Sequence, residues 1–406
     1  MVSETKKEGS SAPSGRLKRH YIRFAAGAIV LYFVFSLGVM TGSGQLHFTT
    51  KKGMTGLPDK LNYSTVDDVY NALRQNYNGT LTEQQVLDGL KHGLAEATND
   101  PYTEYFTAKE AKQFTDGINS TFSGIGAELG QDSDKNIIVI SPITGFPAEK
   151  AGLKAQDIIA TIDGTSTQGM SIDDAVNKIR GPKGTAVKLG IVRGGEAQTL
   201  SIIRDTIQVP SVTSKVLDNN IGYMQITSFA DDTGTLAKKA AQDFKQKNVK
   251  GIIVDLRNDP GGYLDAAVDV SSLWIPQGNL VVNEKGSTES KQYVAKGGNI
   301  LKGIPTVVLV NGGSASASEI TAGALHDTKN ATIIGEKSFG KGVVQQLINL
   351  SDGSELKVTV ASWYRPNGQN IQHKGITPDQ IVKLTDDDAK AQNDTQLTAA
   401  ETFLNK

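Results

Sequence analysis

The chain has 406 residues, with 42 lysines and arginines against 43 aspartates and glutamates, so its formal net charge at pH 7 is −1. This length allows about two or three domains, and the charge balance gives no indication of nucleic acid or another polyanion as a partner. Cysteine is absent and the five histidines lack metal-ligand spacing. This excludes disulfides, thiolate zinc sites and a cysteine nucleophile, and it is typical of an exported bacterial protein without a metal centre.

The segment Phe24–Leu46, FAAGAIVLYFVFSLGVMTGSGQL, is a run of 23 residues without a charge. As a helix it would span about 35 Å at about 1.5 Å per residue, enough for a bilayer core of about 30 Å. Six basic residues precede it, so we expect residues 1–23 in the cytoplasm, a single-pass membrane anchor at 24–46 and the remaining chain at the extracytoplasmic face of a bacterial membrane. A cleaved signal peptide is the alternative, although no A-x-A site follows.

Residues 47–121 combine a linker with two amphipathic helical patterns, Thr65–Gln75 and Thr82–Ala97. Thr82 is placed to cap the second helix. We interpret this region as a helical packing element, and together with the C-terminal tail it is a candidate surface for a homodimer.

Residues 122–207 alternate apolar and polar positions in short runs separated by Gly, Asp and Pro. The runs FSGIGAEL, NIIVISPI, IIATIDG and AVKLGIVR predict strands, whereas SIDDAVNKIR predicts a helix. The pattern indicates a compact, β-rich module with two helices.

Residues 208–385 alternate strand-like and helix-like runs. The strands GYMQI, GIIVDL, TVVLV and ATIIG are separated by three helices, predicted at Asp232–Lys247, at Leu264–Leu273 and in EITAGALHD. Such alternation predicts an α/β domain with a largely parallel sheet. Residues 386–406 form a short tail with a helical pattern at Leu397–Leu404.

The run DLRNDPGGY, Asp255–Tyr263, follows the buried strand GIIVDL. Its Pro-Gly-Gly turn presents backbone N–H groups at the carboxyl edge of the sheet, where α/β proteins place their sites. It is either an ordinary β-α turn or one half of an oxyanion hole.

A corner with three serines, NGGSASASEI at Asn311–Ile320, joins the strand TVVLV to a helix. Ser316 and Glu319 form the S-x-x-E pattern of a capping box, so Ser316 is a candidate N-cap. The same position suits a nucleophile, because the backbone N–H groups of a helix N-terminus can stabilise an oxyanion. The N–H of Ala317 would then act together with the Pro-Gly-Gly turn.

A nucleophilic serine needs a base. His326 lies ten residues further along the same helix, about 15 Å away at about 1.5 Å per residue, and His373 lies in a loop-like run. Lys341, between two glycines in EKSFGKGVVQQ, is the stronger candidate, because burial makes a lysine easier to deprotonate. The alternative is a surface lysine in a glycine turn.

The motifs GSASASEI, FGKGVVQ and DLRNDPGGYLDAA, supported by NDPYTEYF, FSGIGAEL and HKGITPDQIV, resemble the C-terminal-processing (tail-specific) serine peptidase family over about Asp67–Leu384. The resemblance implies Ser316 as nucleophile, Lys341 as base and Gln345 as the residue that orients the lysine. It places Asp327 where some members carry a supporting carboxylate. The oxyanion donors would be the N–H of Ala317 and that of Gly261 or Gly262, without any metal or organic cofactor.

The resemblance also implies that residues 122–207 are a PDZ domain. Backbone N–H groups in the run Ser123, Gly124, Ile125 and Gly126 would bind the terminal carboxylate of a peptide, which pairs with the adjoining strand edge. Arg180 matches an arginine that couples peptide binding to activation in some relatives; a helix C-terminal cation is the equally weighted alternative. Gln156-Asp157 stands where many relatives have Gly-Asp, so the turn geometry there is in doubt.

The expected fold class is therefore a multidomain α+β and α/β protein: a single N-terminal transmembrane helix, a helical segment, a PDZ domain and, by resemblance, a crotonase-like (ββα spiral) protease core at 208–385. The expected function is a membrane-anchored serine endopeptidase that binds substrate C-termini and cleaves unfolded or tail-exposed proteins. One alternative is a catalytically silent peptide-binding scaffold. A second is a crotonase-like enzyme acting on acyl-thioesters, disfavoured by the PDZ module and the external location.

Overall fold

The computed structural model describes residues 58, 60–287, 289–385, 388 and 393–405. The chain divides into two units, residues 1–80 and residues 81–406. In the first unit the described helix is α1, Ser64–Asn76, which confirms the helix predicted at Thr65–Gln75.

The second unit begins with helix α2, Glu83–Glu96, which confirms the second predicted helix. Thr82 is its N-cap, as predicted. The Gln85 amide donates to Thr82 Oγ1 (3.2 Å), and the Thr82 amide donates to Gln85 Oε1 (2.8 Å). Together these bonds satisfy two backbone donors at the start of the helix. A short strand, β1, Glu104–Phe106, and helix α3, Ala108–Ile118, follow.

The β-rich module follows α3. Its elements are β2, Thr121–Gly124; β3, Ala127–Gln131; β4, Ile137–Pro142; α4, Pro147–Lys150; β5, Ile158–Ile162; β6, Thr165–Ser166; α5, Ile172–Ile179; β7, Ala186–Arg193; β8, Glu196–Ile203; and β9, Asp205–Gln208. The main sheet has the order β3-β4-β5-β7-β8 with antiparallel pairs, so β3 is an edge strand. Val139, Ile159 and Leu189 point into its core and are fully buried.

The remaining elements build the α/β region. They are β10, Val212–Val216; β11, Ile221–Ile226; α6, Thr233–Gln246; β12, Gly251–Asp255; α7, Leu264–Ser271; β13, Leu280–Gly286; β14, Ser290–Val294; β15, Thr306–Val310; α8, Ala317–Asp327; β16, Thr332–Gly335; β17, Val343–Asn349; β18, Glu355–Tyr364; β19, Gln380–Ile381; and α9, Thr395–Leu404. The sheet β10-β11-β12-β15-β16-β19 is parallel from β11 onward, which confirms the predicted parallel sheet. Strands β12 and β15 are buried at every position, as a parallel sheet covered on both faces requires.

A second sheet joins β1 to β18, β13 and β14, with β17 also paired to β18. Glu104 to Phe106 pair antiparallel with Lys357 to Glu355. The last three residues of the run NDPYTEYF therefore form a strand that hydrogen-bonds to the α/β region, which the sequence did not indicate.

The predicted fold class is wrong in one respect. No helix in the described residues is long and apolar enough to cross a membrane. Even the 14-residue helices α2 and α6 rise only about 21 Å, short of a bilayer core of about 30 Å. The fold class is corrected accordingly to a helical segment, a β-rich module and an α/β region. The predicted anchor at 24–46 and the predicted cytoplasmic tail at 1–23 lie outside the described residues.

Candidate active site

Ser316 stands at the corner between the buried strand β15 and helix α8, with φ +54° and ψ −112°. A non-glycine residue at positive φ is strained, and such strain persists only where surrounding contacts hold it. Ser316 occupies the N-cap position and forms a capping box with Glu319, as its S-x-x-E pattern predicts; the Ser316 amide donates to the Glu319 carboxylate (2.9 Å).

The three corner serines have different roles. Ser314 Oγ donates to the Leu256 carbonyl (2.7 Å), and Ser318 Oγ donates to the Asp259 carbonyl (2.9 Å). Both are fully buried and tie the corner to the loop after β12. In the described part of the chain the Ser316 hydroxyl donates no hydrogen bond, so it is the one hydroxyl of the three whose proton is free for transfer.

Glu319 joins the serine corner to the lysine loop. Its buried carboxylate accepts four hydrogen bonds, from the amides of Ser316 (2.9 Å), Gly340 (2.8 Å) and Lys341 (2.9 Å) and from Ser338 Oγ (2.5 Å). Burial raises the pKa of Glu319, and these four donors oppose the rise. Sequence reasoning gave Glu319 only a capping role. The available signal was an acid inside the otherwise small and apolar run SASASEITAGA.

Two hydrogen bonds hold the backbone of Lys341. Its amide donates to Glu319, and its carbonyl accepts from Trp363 Nε1 (2.8 Å). Its side chain is half-buried, with the ammonium 5.2 Å from the centroid of the Tyr102 ring. Lys341 and Ser316 line the same cavity, but no hydrogen bond joins their side chains among the described residues.

The electrostatic surroundings of Lys341 favour loss of its proton. Burial lowers the pKa of Lys341, and the positive charge of Lys357 lowers it further. The charges of Asp100 and Glu319 act in the opposite direction. Tyr102, Asp100 and Lys357 were not identified from the sequence as site residues, although NDPYTEYF contains the first two.

Gln345 and Asp327 are held by other groups. Gln345 lines the cavity and its Nε2 donates to Thr359 Oγ1 (3.4 Å). Asp327 accepts from Arg365 Nε (3.1 Å) and from the side chain of Asn367 (3.1 Å) at the far end of α8. The structure therefore places Gln345 beside the lysine loop and Asp327 away from it.

Two backbone amides next to Ser316 are free. The N–H groups of Ala317 and Gly262 have no acceptor in the described residues, whereas the Gly261 N–H donates to Asp259 Oδ1 (2.8 Å). A Cβ on Gly261 would lie 2.9 Å from the Ala317 nitrogen, so only glycine permits this approach. Of the two candidate glycines, Gly262 has the available donor.

Ser316 and Lys341 open into a cavity of about 490 Å³. Helix α3, the Pro-Gly-Gly turn, helix α8 and strand β17 supply its walls. Much of this lining is apolar, including Phe114, Ile118, Leu264, Ile320, Val344 and Leu347. Such a cavity suits an apolar side chain of an extended peptide.

The predicted peptide-binding residues lie at one end of the β-rich module. Ser123 and Gly124 pair with β9, while Gly126 turns the chain with φ +74° into the edge strand β3. The amides of Ile125 and Gly126 have no acceptor in the described structure.

Arg180 is the C-cap residue of helix α5. Its guanidinium lies 4.8 Å from the centroid of the Phe122 ring. The C-terminal carbonyls of α5 are bonded instead by buried Arg204, which donates to the carbonyls of Ile179 (2.7 Å) and Lys178 (3.2 Å).

Comparison with known proteins identifies the family. The model of peptidase family S41 matches residues 220–382, and that of the PDZ domain matches residues 113–192. The carboxy-terminal processing protease CtpA of Bacillus subtilis (strain 168) is 42% identical over 331 residues, covering 81% of this chain and 69% of that protein. The chain belongs to peptidase family S41. It is thus a serine protease with a PDZ domain, of the C-terminal processing group, and the expected resemblance is confirmed.

Three further proteins are similar to this chain. A CtpA-like serine protease of Staphylococcus haemolyticus (strain JCSC1435) is 40% identical, covering 78% of this chain and 64% of that protein. The chain thus spans about two thirds of the length of these two relatives. A solved S41 protease from Bacteroides fragilis shares the fold, with a TM-score of 0.55 at 16% identity and coverage of 86% and 99%. The photosystem II D1 C-terminal processing protease is 31% identical, with coverage of 80% and 87% and a TM-score of 0.48.

Proposed function

We propose that this S41 protease is an endopeptidase that uses Ser316 as nucleophile and Lys341 as general base to cleave unfolded or tail-exposed proteins. The observation that carries the proposal is the shared cavity. It is lined by Ser316, whose hydroxyl donates no hydrogen bond in the described residues, and by a half-buried lysine with a lowered pKa.

In the proposed reaction, neutral Lys341 accepts the Ser316 proton as the hydroxyl oxygen attacks the scissile carbonyl. The amides of Gly262 and Ala317 donate to the oxyanion of the tetrahedral intermediate. The lysine ammonium then gives its proton to the leaving amine, and with the same lysine as base a water hydrolyses the acyl-enzyme.

Lys341 has to leave the Tyr102 ring during this cycle. A cation over an aromatic face is stabilised in its charged form, so the contact with Tyr102 favours the protonated lysine. Substrate in the cavity would displace water and favour the neutral amine, which can then approach Ser316. Gln345, at the lysine side of the cavity, would guide the amine.

The PDZ domain would bind the substrate's C-terminus. The free amides of Ile125 and Gly126 would receive the terminal carboxylate, with Ser123 and Gly124 shaping the same loop. The peptide would then extend edge strand β3 opposite helix α5. Amidation of the substrate's C-terminus should therefore raise KM without changing the bonds that are cut.

The dyad is tested with the full chain and an unfolded protein substrate. We expect turnover to be lost in Ser316→Ala and in Lys341→Ala. Lys337→Ala, at an exposed position on the same loop, is the matched control and should keep wild-type turnover. Unchanged turnover in either dyad variant would disprove the assignment, and tail binding without any cleavage by the wild type would favour a silent scaffold.

We also propose that the chain works outside the cytoplasm and forms a homodimer. The cysteine-free composition supports the first proposal. An exposed apolar face on α2, formed by Leu87, Leu90 and Leu94, supports the second. Cell fractionation tests the location outside the cytoplasm. Sedimentation equilibrium of the wild type and of Leu90→Glu tests the homodimer, and a monomeric wild type would refute it.

A further inference from the structure

Asp259 connects the two loops that flank Ser316. Its carbonyl accepts hydrogen bonds from the Ala315 amide (3.0 Å) and from Ser318 Oγ (2.9 Å), on either side of the nucleophile. Its carboxyl Oδ1 accepts the Gly261 N–H (2.8 Å) in the Pro-Gly-Gly turn. One residue thus bonds to both loops that supply the proposed oxyanion donors.

The Asp259 carboxyl is fully buried, and its second oxygen, Oδ2, has no hydrogen-bond partner in the described residues. Burial raises the pKa of Asp259 to about 7, although the Gly261 amide and the Ser318 hydroxyl oppose the rise. A buried carboxyl with one unpaired oxygen is costly, so its retention calls for a reason.

The charged groups on the neighbouring elements are already engaged. Arg257, two residues earlier, is paired with Asp255 and Asp394. Glu319 on helix α8 is bonded to the serine and lysine loops. Asp259 therefore acts through its contact with Gly261 and not through an ion pair.

We propose that Asp259 is a positioning residue of the oxyanion hole: by accepting the Gly261 N–H, it fixes the Gly261-Gly262 turn so that the Gly262 amide is the donor beside Ala317. This inference rests on the proposed function of Ser316. Gly261 and Gly262 have φ of +98° and +148°, regions open mainly to glycine. Two consecutive glycines relax easily. The Gly261-Gly262 peptide is held at its carbonyl by the Phe229 amide (2.9 Å), and Asp259 holds the preceding peptide at the Gly261 N–H (2.8 Å), so the two contacts together fix the turn.

The test compares Asp259→Asn with Asp259→Leu. These side chains are similar in shape, and only asparagine keeps an acceptor for the Gly261 N–H. We expect kcat per titrated active site to stay within about threefold of wild type in the asparagine variant. In the leucine variant it should fall by about 10- to 100-fold, the loss typical of a weakened oxyanion donor, with KM within about twofold.

A peptidyl boronic acid, whose serine adduct mimics the tetrahedral intermediate, provides a second readout. Its affinity should fall in Asp259→Leu by the same factor as kcat and should be kept in Asp259→Asn. Urea denaturation monitors folding of each variant, and counting titrated sites removes any unfolded fraction. Equal kcat and equal boronate affinity in the two variants, whether both retained or both lost, would overturn the inference. If Ser316→Ala retains turnover, the proposed function fails instead.

Discussion

At the scale of single residues, the site depends on two buried acids with different surroundings. Glu319 accepts four hydrogen bonds, whereas one oxygen of Asp259 accepts none. Glu319 holds the backbones of Ser316 and Lys341 in one arrangement. Asp259 carries an unpaired carboxyl oxygen next to the Pro-Gly-Gly turn.

The charges around Lys341 predict that substitutions of Lys357 and Asp100 shift the pH dependence of activity in opposite directions. In the proposed mechanism activity needs neutral Lys341, so kcat/KM should rise with pH as the lysine loses its proton. Lys357→Met removes a positive charge that lowers the pKa of Lys341, so the rise should move to higher pH. Asp100→Asn removes a negative charge that raises this pKa, so the rise should move to lower pH.

The measurement is kcat/KM of a short peptide from pH 6 to 10 for the wild type and both variants. Methionine keeps an apolar stem beside Phe106 and Phe114, which the Lys357 ammonium approaches at 4.9 Å. Shifts in the same direction for both variants would contradict Lys341 as the titrating base.

Asp259 also predicts a pH-dependent stability. Its pKa is raised from 3.8 to about 7, so folding favours its protonated form, and the cost of ionisation grows as pH rises from about 4 to 7. Relative to Asp259→Asn, the wild type should lose roughly 3–4 kcal/mol of unfolding free energy between pH 4 and pH 8. Urea denaturation at both pH values measures this difference, and a constant difference would show that Asp259 does not titrate in this range.

At the scale of elements, the turn before β5 shows how local strain is accommodated. Gln156, at the position where the family resemblance led us to expect glycine, adopts φ +68°. The turn is held by the Gln156 amide, which donates to the Val139 carbonyl (2.8 Å), and by Asp157, which pairs with Arg193 (2.7 Å). The doubt raised by the sequence is resolved, since the turn forms with a left-handed glutamine.

Gln156→Gly should therefore raise the free energy of unfolding by about 0.5–1 kcal/mol, because glycine adopts positive φ without a Cβ clash. Gln156→Ala keeps the strain and should show no such gain. Chemical denaturation of the full chain measures both, provided that the transition attributed to the PDZ domain is resolved. A glycine variant less stable than the wild type would show that the strain is not significant.

At the scale of the whole molecule, the C-terminal helix α9 covers one face of the parallel sheet. Ala400 is fully buried in a cluster with Ile253 and Leu309, and Leu397 packs against the same cluster. The start of α9 is held by Asp394, which pairs with Arg257 after β12 (2.7 Å). The tail is thus part of the sheet's packing, and it is bonded to the loop that leads to the Pro-Gly-Gly turn.

Ala400→Asp should cost about 3 kcal/mol or more of unfolding free energy, because it buries a carboxylate against apolar strands. Thr398→Asp, at an exposed position on the same helix, is the control and should change stability by less than about 0.5 kcal/mol. Denaturation midpoints and protease resistance measure both. Equal stability of the two variants would mean that α9 does not protect the sheet.

Local signals were sufficient to predict several elements from the amino-acid sequence. Capping by Thr82, the helical periods, the buried strands and the serine corner all depend on neighbouring residues, and the structure agrees with them. The spacing of Ser316, Lys341 and the Pro-Gly-Gly run was sufficient for the family, and the relatives confirm it.

Which groups come into contact could be read from the three-dimensional arrangement alone. It directed the Ser314 and Ser318 hydroxyls to backbone carbonyls, the Gly261 amide to Asp259, and the Glu319 carboxylate to the lysine loop. It also brought Tyr102, from the start of the second unit, under the ammonium of Lys341. These contacts join residues far apart in the chain, and a hydrogen bond or a burial cost depends on three-dimensional distance, which no local pattern encodes.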